Sequence, residues 1–115
     1  MVLVSLAAAS ICFLNQCYPA LVGPDTPTGE FRLEHVRTAA AGYGGDVIIF
    51  QETPSSVYAI HRVWLLSPEQ RRLERLTSGN ARERITVTLG CINVMPDIYD
   101  KLLACCSNQV MVVSR

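Results

Sequence analysis

Cys91 and His61 are the two side chains in this sequence that together could carry out nucleophilic catalysis. A thiol attacks as its thiolate, and a nearby imidazole can take the proton or stabilise the anion as imidazolium. Cys91 lies in Ile85-Thr86-Val87-Thr88-Leu89-Gly90-Cys91-Ile92-Asn93-Val94, a β-like run interrupted by one glycine. Gly90 lets the backbone turn tightly and approach a ligand closely. Backbone N–H groups near Gly90 and Cys91 would then face the oxyanion formed when a carbonyl is attacked, a contribution of about 3 kcal/mol per donor. His61 directly follows the apolar run Val57 to Ile60, where a strand end would present it at a sheet rim, whereas His35 stands among charged residues on an ordinary surface segment. On composition alone Cys91 reads as a packed thiol in an apolar strand, and spacing by itself does not reverse that.

The other cysteines suggest packing or a cross-link. No Cys-x-x-Cys pair is present and the spacings are not those of zinc ligands. Cys12 and Cys17 flank Phe13-Leu14-Asn15-Gln16, which reads as a hairpin turn centred on Leu14 and Asn15. That register puts the two cysteines in a non-hydrogen-bonded pair, close enough for a disulfide, with two small buried thiols as the alternative. Cys105 and Cys106 fall late in an apolar helix and read as core packing.

A chain of 115 residues, half of them apolar, is the size of one compact domain spanning 1–115. Ten basic residues balance ten acidic ones and no basic stripe is interleaved with aromatics, which argues against nucleic acid as a partner. No stretch approaches the roughly 20 uninterrupted apolar residues of a membrane-spanning helix. Met1 to Leu14 is apolar but has no Lys or Arg ahead of the apolar run, so it is expected to be the first strand rather than a secretory signal.

The elements that must position the pair are mostly strands. Ser10 to Val22 reads as a hairpin, Gly23 to Glu30 as a loop, and Val47–Phe50 with Val57–Ile60 as a second hairpin around Pro54. Gly42-Tyr43-Gly44-Gly45 reads as a turn, since it lacks the spacing and following helix of a phosphate-binding loop. Ser67-Pro68-Glu69-Gln70 is a capped helix start, with the helix running to about Thr77. Its Arg71, Arg72 and Arg75 form either a solvated face or a substrate-facing patch. A second helix from near Pro96 carries Ile98, Tyr99, Leu102 and Leu103 on one stripe, and Val110 to Val113 closes the sheet. With no regular strand and helix alternation and no internal repeat, the class is mainly β, with one or two short helices.

Three segments, in order, resemble the L,D-transpeptidase (YkuD-like) catalytic domain family. Ala20-Leu21-Val22-Gly23-Pro24-Asp25-Thr26-Pro27-Thr28-Gly29-Glu30-Phe31 is similar to the family's Gly, then Thr-Pro-x-Gly-x-Phe stretch. Tyr58-Ala59-Ile60-His61 is similar to the strand that bears its catalytic histidine, and Thr88-Leu89-Gly90-Cys91-Ile92-Asn93-Val94 to its Gly-Cys signature. The resemblance spans about Ser10 to Val113 and implies a small β-sandwich. It also implies acyl transfer on peptidoglycan stem peptides through a Cys91 thioester, with His61 as base and Gly90, Thr88, Arg62 and Asn93 orienting substrate or oxyanion. With a thiol, an imidazole and backbone amides supplying the chemistry, the resemblance implies that no metal or organic cofactor is needed. Transpeptidation and carboxypeptidase activity both follow from that chemistry, as do acylation by carbapenem β-lactams and a periplasmic or wall-facing location.

The departures mark a divergent subgroup. Leu89 stands where many members have a second histidine, Asn93 where many have arginine, and Arg62 where glycine or serine often follows the catalytic histidine. A helix-like insertion separates His61 from Cys91. These differences keep two rivals open: a wall-binding or structural domain without turnover, and a peptidoglycan-targeting toxin of the same fold.

Overall fold

The computed structural model describes all residues 1–115. Nine strands occur in the order β1 Val2–Ser5, β2 Ser10–Phe13, β3 Gln16–Pro19, β4 Gly29–Arg32, β5 Glu34–Arg37, β6 Asp46–Thr53, β7 Ser56–Arg62, β8 Ile92–Val94 and β9 Gln109–Val113. The helices are α1, Arg72–Thr77, and α2, Pro96–Cys105. The strands form two sheets, β3-β2-β1-β9-β4 and β5-β6-β7-β8, so the chain is mainly β as expected. Val2, Val4, Ile11, Val110 and Val112 from the first sheet meet Ile48, Phe50, Ile60, Ile92 and Val94 from the second, with Ile98, Tyr99 and Leu102 of α2 in the same core. Fully burying a side chain of this size contributes about 1.5–3 kcal/mol relative to leaving it exposed.

Both expected hairpins form. Leu14 and Asn15 adopt positive φ (51° and 65°), the combination that a two-residue turn needs to match strand twist. Cys12 therefore faces Cys17, with Cα atoms 4.0 Å apart, and the two are disulfide-bonded. The opening segment supplies β1, which runs parallel to β9, and β9 lies inside the sheet between β1 and β4 rather than at its edge.

Three expectations are corrected. Ser67 makes no side-chain cap: Pro68–Gln70 is a 3-10 turn that ends on Arg71 in the left-handed region (φ 53°), and α1 starts afresh at Arg72. Residues 85–90 are not strand, because the Val87 and Thr88 N–H groups both donate to the Val22 carbonyl (3.1 and 3.3 Å) and no ladder can extend from that bend. Cys105 and Cys106 are bonded to one another; Cys106 packs against the core as expected, but Cys105 is exposed. The Cys106 N–H donates to the Leu102 carbonyl (2.8 Å), the last i to i−4 bond of the helix.

The connection from β7 to β8 sets the position of the site. Parallel strands require a crossover of a dozen residues or more, and here 63–91 includes α1. The excursion is tied down by buried Arg84, which donates Nε–H to the Ala9 carbonyl (3.2 Å) and Nη2–H to the Ala8 carbonyl (3.1 Å). Gly23 allows the residues before Cys91 to lie against the loop after β3. A Cβ there would sit 1.9 Å from the Thr88 carbonyl oxygen.

Candidate active site

The β7–β8 register pairs Ile60 with Ile92 and His61 with Asn93. Ile60 and Ile92 point into the core, so the alternate residues His61, Asn93 and Cys91 occupy the opposite face. A rise of about 3.3 Å per residue and a strand spacing of about 4.8 Å put the His61 and Cys91 Cα atoms roughly 8 Å apart on the diagonal. Both line one cavity of about 450 Å³, together with Asp25, Tyr43, Tyr58, Trp64, Arg72, Thr88 and Gly90 among others.

His61 is buried within β7 at 2% exposure, not presented at a rim, because β8 and its flanking loop cover the end of the strand. Its Nδ1 donates to the Arg62 carbonyl (2.7 Å), which leaves Nε2 as the acceptor nitrogen of a neutral ring. The Asn93 amide holds Nε2 from the side: Nδ2 lies 3.5 Å from it, while Oδ1 accepts from the Trp64 N–H (3.1 Å) and from Arg72 Nη1 (3.0 Å). The Tyr43 ring meets the imidazole edge-on at 4.7 Å. Burial, reinforced by the Arg72 charge and opposed by the Arg62 carbonyl, lowers the His61 pKa to about 4.

Cys91 is the free cysteine, half-buried at the mouth of β8. Its Sγ–H points to the Val57 carbonyl (3.8 Å). Burial pushes the thiol up from its ordinary value, against opposing contributions from the Ala59 backbone N–H and Arg72. At neutral pH the resting pair is therefore a thiol and a neutral imidazole.

The remaining expected residues divide. Thr88 braces Cys91, its hydroxyl donating to the Cys91 carbonyl (2.7 Å) and accepting from the Gly90 N–H (3.1 Å). That bond occupies the Gly90 amide, so it is not a free oxyanion donor here. Gly90 instead matters through close approach, since a Cβ would lie 2.4 Å from the Tyr58 ring. The Arg62 side chain is not in the cavity. It pairs with Asp46 (2.7 Å) and Asp100 (3.6 Å), lies over the Tyr99 ring at 4.2 Å, and donates to the Tyr43 carbonyl (3.3 Å), which holds the glycine turn in place. Only its backbone carbonyl serves His61. His35, expected as an ordinary surface residue, bonds Asp46 at 2.7 Å.

Trp64, Tyr43 and Asp25 were not singled out for the site by sequence, and of the three arginines read as a solvated face or a substrate-facing patch, Arg72 is the one that lines the cavity. For Arg72 a signal existed: Leu76, four residues on, is buried, and positions i and i+4 share a helix face. No group of three or more His, Cys, Asp and Glu side chains has metal-holding geometry.

No protein-family model matches the chain, and no curated protein matches it. Among solved structures, an L,D-transpeptidase from Mycobacterium smegmatis aligns with 98% of the chain at TM-score 0.59 and 18% identity. An L,D-transpeptidase (Yku) from Stackebrandtia nassauensis aligns with 99% at TM-score 0.57 and 15% identity. The chain spans 58% and 55% of those two structures. These likenesses give the chain the L,D-transpeptidase fold, in line with the resemblance of its motifs.

Proposed function

We propose that the chain is a cysteine-dependent acyltransferase of the L,D-transpeptidase type, acting on peptidoglycan stem peptides at a wall-facing location. One observation carries this reading: a free thiol, Cys91, shares a cavity with a histidine whose Nδ1 is fixed by a backbone carbonyl, so that Nε2 is the acceptor. In the reaction Cys91 Sγ attacks the carbonyl carbon of a diamino acid linked to a terminal D-residue, and His61 Nε2 takes the thiol proton as the S–C bond forms. The oxyanion meets the Cys91 amide, with the Arg72 charge nearby. Collapse breaks the C–N bond, the leaving amine receives the proton from His61, and a thioester remains. An amine from a second stem gives a cross-link, and water gives the trimmed stem. Because the resting pair is neutral, the proton moves during attack rather than before it.

Purified cell wall incubated with the protein, with products resolved by mass, tests this. Trimmed or cross-linked stems lost in Cys91→Ala support it, and their persistence in that variant overturns it. The non-catalytic wall-binding reading draws on the deep burial of His61 and the raised thiol, and it predicts wall binding without any change in stem mass.

A further inference from the structure

Arg72 is charged, faces the cavity, and has no carboxylate partner. The ion pairs of the chain join His35 and Arg62 to Asp46, Arg62 to Asp100, and Arg71 to Glu74. Arg72 instead donates to two neutral oxygens, Nε–H to Gln70 Oε1 (2.7 Å) and Nη1–H to Asn93 Oδ1 (3.0 Å), and its guanidinium lies 5.1 Å over the Trp64 ring. These contacts fix the plane of the group and leave its charge uncompensated. A guanidinium presents five donors in a rigid fork suited to a carboxylate, and partial burial removes competing water. Asp25, the one acid among the lining residues, makes no ion pair with it.

We infer that Arg72 is the anchor for a free carboxylate on the substrate, namely the terminal carboxylate of the D-residue released when Cys91 attacks. This rests on the acyl-transfer reading. A cavity of about 450 Å³ is at the small end of the range for ligand sites, which suits the end of a peptide more than its middle. In a peptide ending one residue past the scissile bond, only two atoms, the amide nitrogen and the Cα, separate the carboxylate from the carbonyl carbon under attack. A thiol and a guanidinium in one small cavity can therefore engage both groups at once. The site would choose chain ends by charge, a role that the crossover excursion adds by bringing α1 to β8.

The test uses two stem tetrapeptides that end in a diamino acid and D-alanine and differ only in a terminal carboxylate or carboxamide. For the wild type, kcat/KM is expected to be at least about tenfold higher for the acid, as for hydrogen bonds to a charged group. Arg72→Gln should bring the acid-to-amide ratio near one, while Arg72→Lys should retain part of it. Calorimetry on Cys91→Ala, which cannot turn over, should show the same preference in Kd, lost in Cys91→Ala/Arg72→Gln. An acid preference that persists in the Gln variants, or no preference in either assay, overturns the inference. Turnover without Arg72-dependent preference rejects the anchor and keeps the acyl-transfer reading. Preference in Kd without turnover does the reverse.

Discussion

Replacing Asn93 with aspartate tests how the site sets the His61 proton affinity. Asn93 is fully buried, its Oδ1 accepts from the Trp64 N–H and Arg72, and its Nδ2 faces His61 Nε2 at 3.5 Å. Aspartate keeps an acceptor for Trp64 and Arg72, so the fold should survive. Next to the imidazole, however, it exchanges a neutral N–H donor for a carboxylate, which favours the protonated ring. An opposite charge within about 4–6 Å moves a pKa by about 1–3 units, and Arg72 will offset part of the new charge. His61 should rise from about 4 to about 5 or above. With only two histidines in the chain, imidazole Cε1–H resonances followed by NMR titration in wild type and variant separate them. The acid limb of Cys91 acylation should move to higher pH by the same amount, because attack needs neutral His61. A His61 midpoint that stays at its wild-type value or falls would refute this electrostatic reasoning.

Three further outcomes are expected. Gly23→Ala forces a Cβ to within 1.9 Å of the Thr88 carbonyl oxygen, so it should displace the Cys91 loop and cost about 1–3 kcal/mol by urea denaturation; an unchanged midpoint would show that the loop is not seated there. Replacing Cys12 and Cys17 with serine opens a short loop and should lower stability by about 2 kcal/mol, with no change in denaturation midpoint speaking against the cross-link. The folded-state pKa of His61, about 4, lies below the unfolded value of 6.5, so the unfolded chain takes up a proton first as pH falls. The resulting stabilisation is complete above 6.5 and is lost as pH drops through 4, a change of about 3 kcal/mol. Wild type should therefore lose stability across that window more steeply than His61→Gln, and parallel curves would contradict the assignment.

What was legible in the sequence followed period and turn chemistry. The Leu14-Asn15 turn, the β6–β7 hairpin and the buried stripe of α2 are local patterns, and each forms where expected. Non-local pairings were hidden. Nothing near Val2 or Val110 announces that β1 and β9 run side by side in parallel. Ile85 to Thr88 have strand propensity, yet a single carbonyl, that of Val22, captures two of their amides and holds a bend instead. At the site the ordered resemblance of motifs, not spacing, pointed to Cys91 and His61, and the setting of His61 was misjudged because its cover comes from β8, which is distant in sequence. Arg62 was expected to orient substrate through its side chain, but Asp46, held near pKa 2, draws that side chain away. Burial alone would raise the Asp46 carboxyl, and hydrogen bonds from Arg62, His35 and Tyr99 outweigh it. The cation that does reach the cavity is Arg72, delivered by the crossover whose contribution to the site has no local signature beyond the Arg72 and Leu76 spacing.

The claim that Cys91 is an acylating nucleophile is met most directly by intact-mass measurement after incubation with a carbapenem, followed by peptide mapping. The account predicts a gain equal to one whole β-lactam, mapped to Cys91 and absent in both Cys91→Ala and His61→Gln at short times. A folded wild-type protein that gains no mass, or an adduct that maps elsewhere, would contradict it.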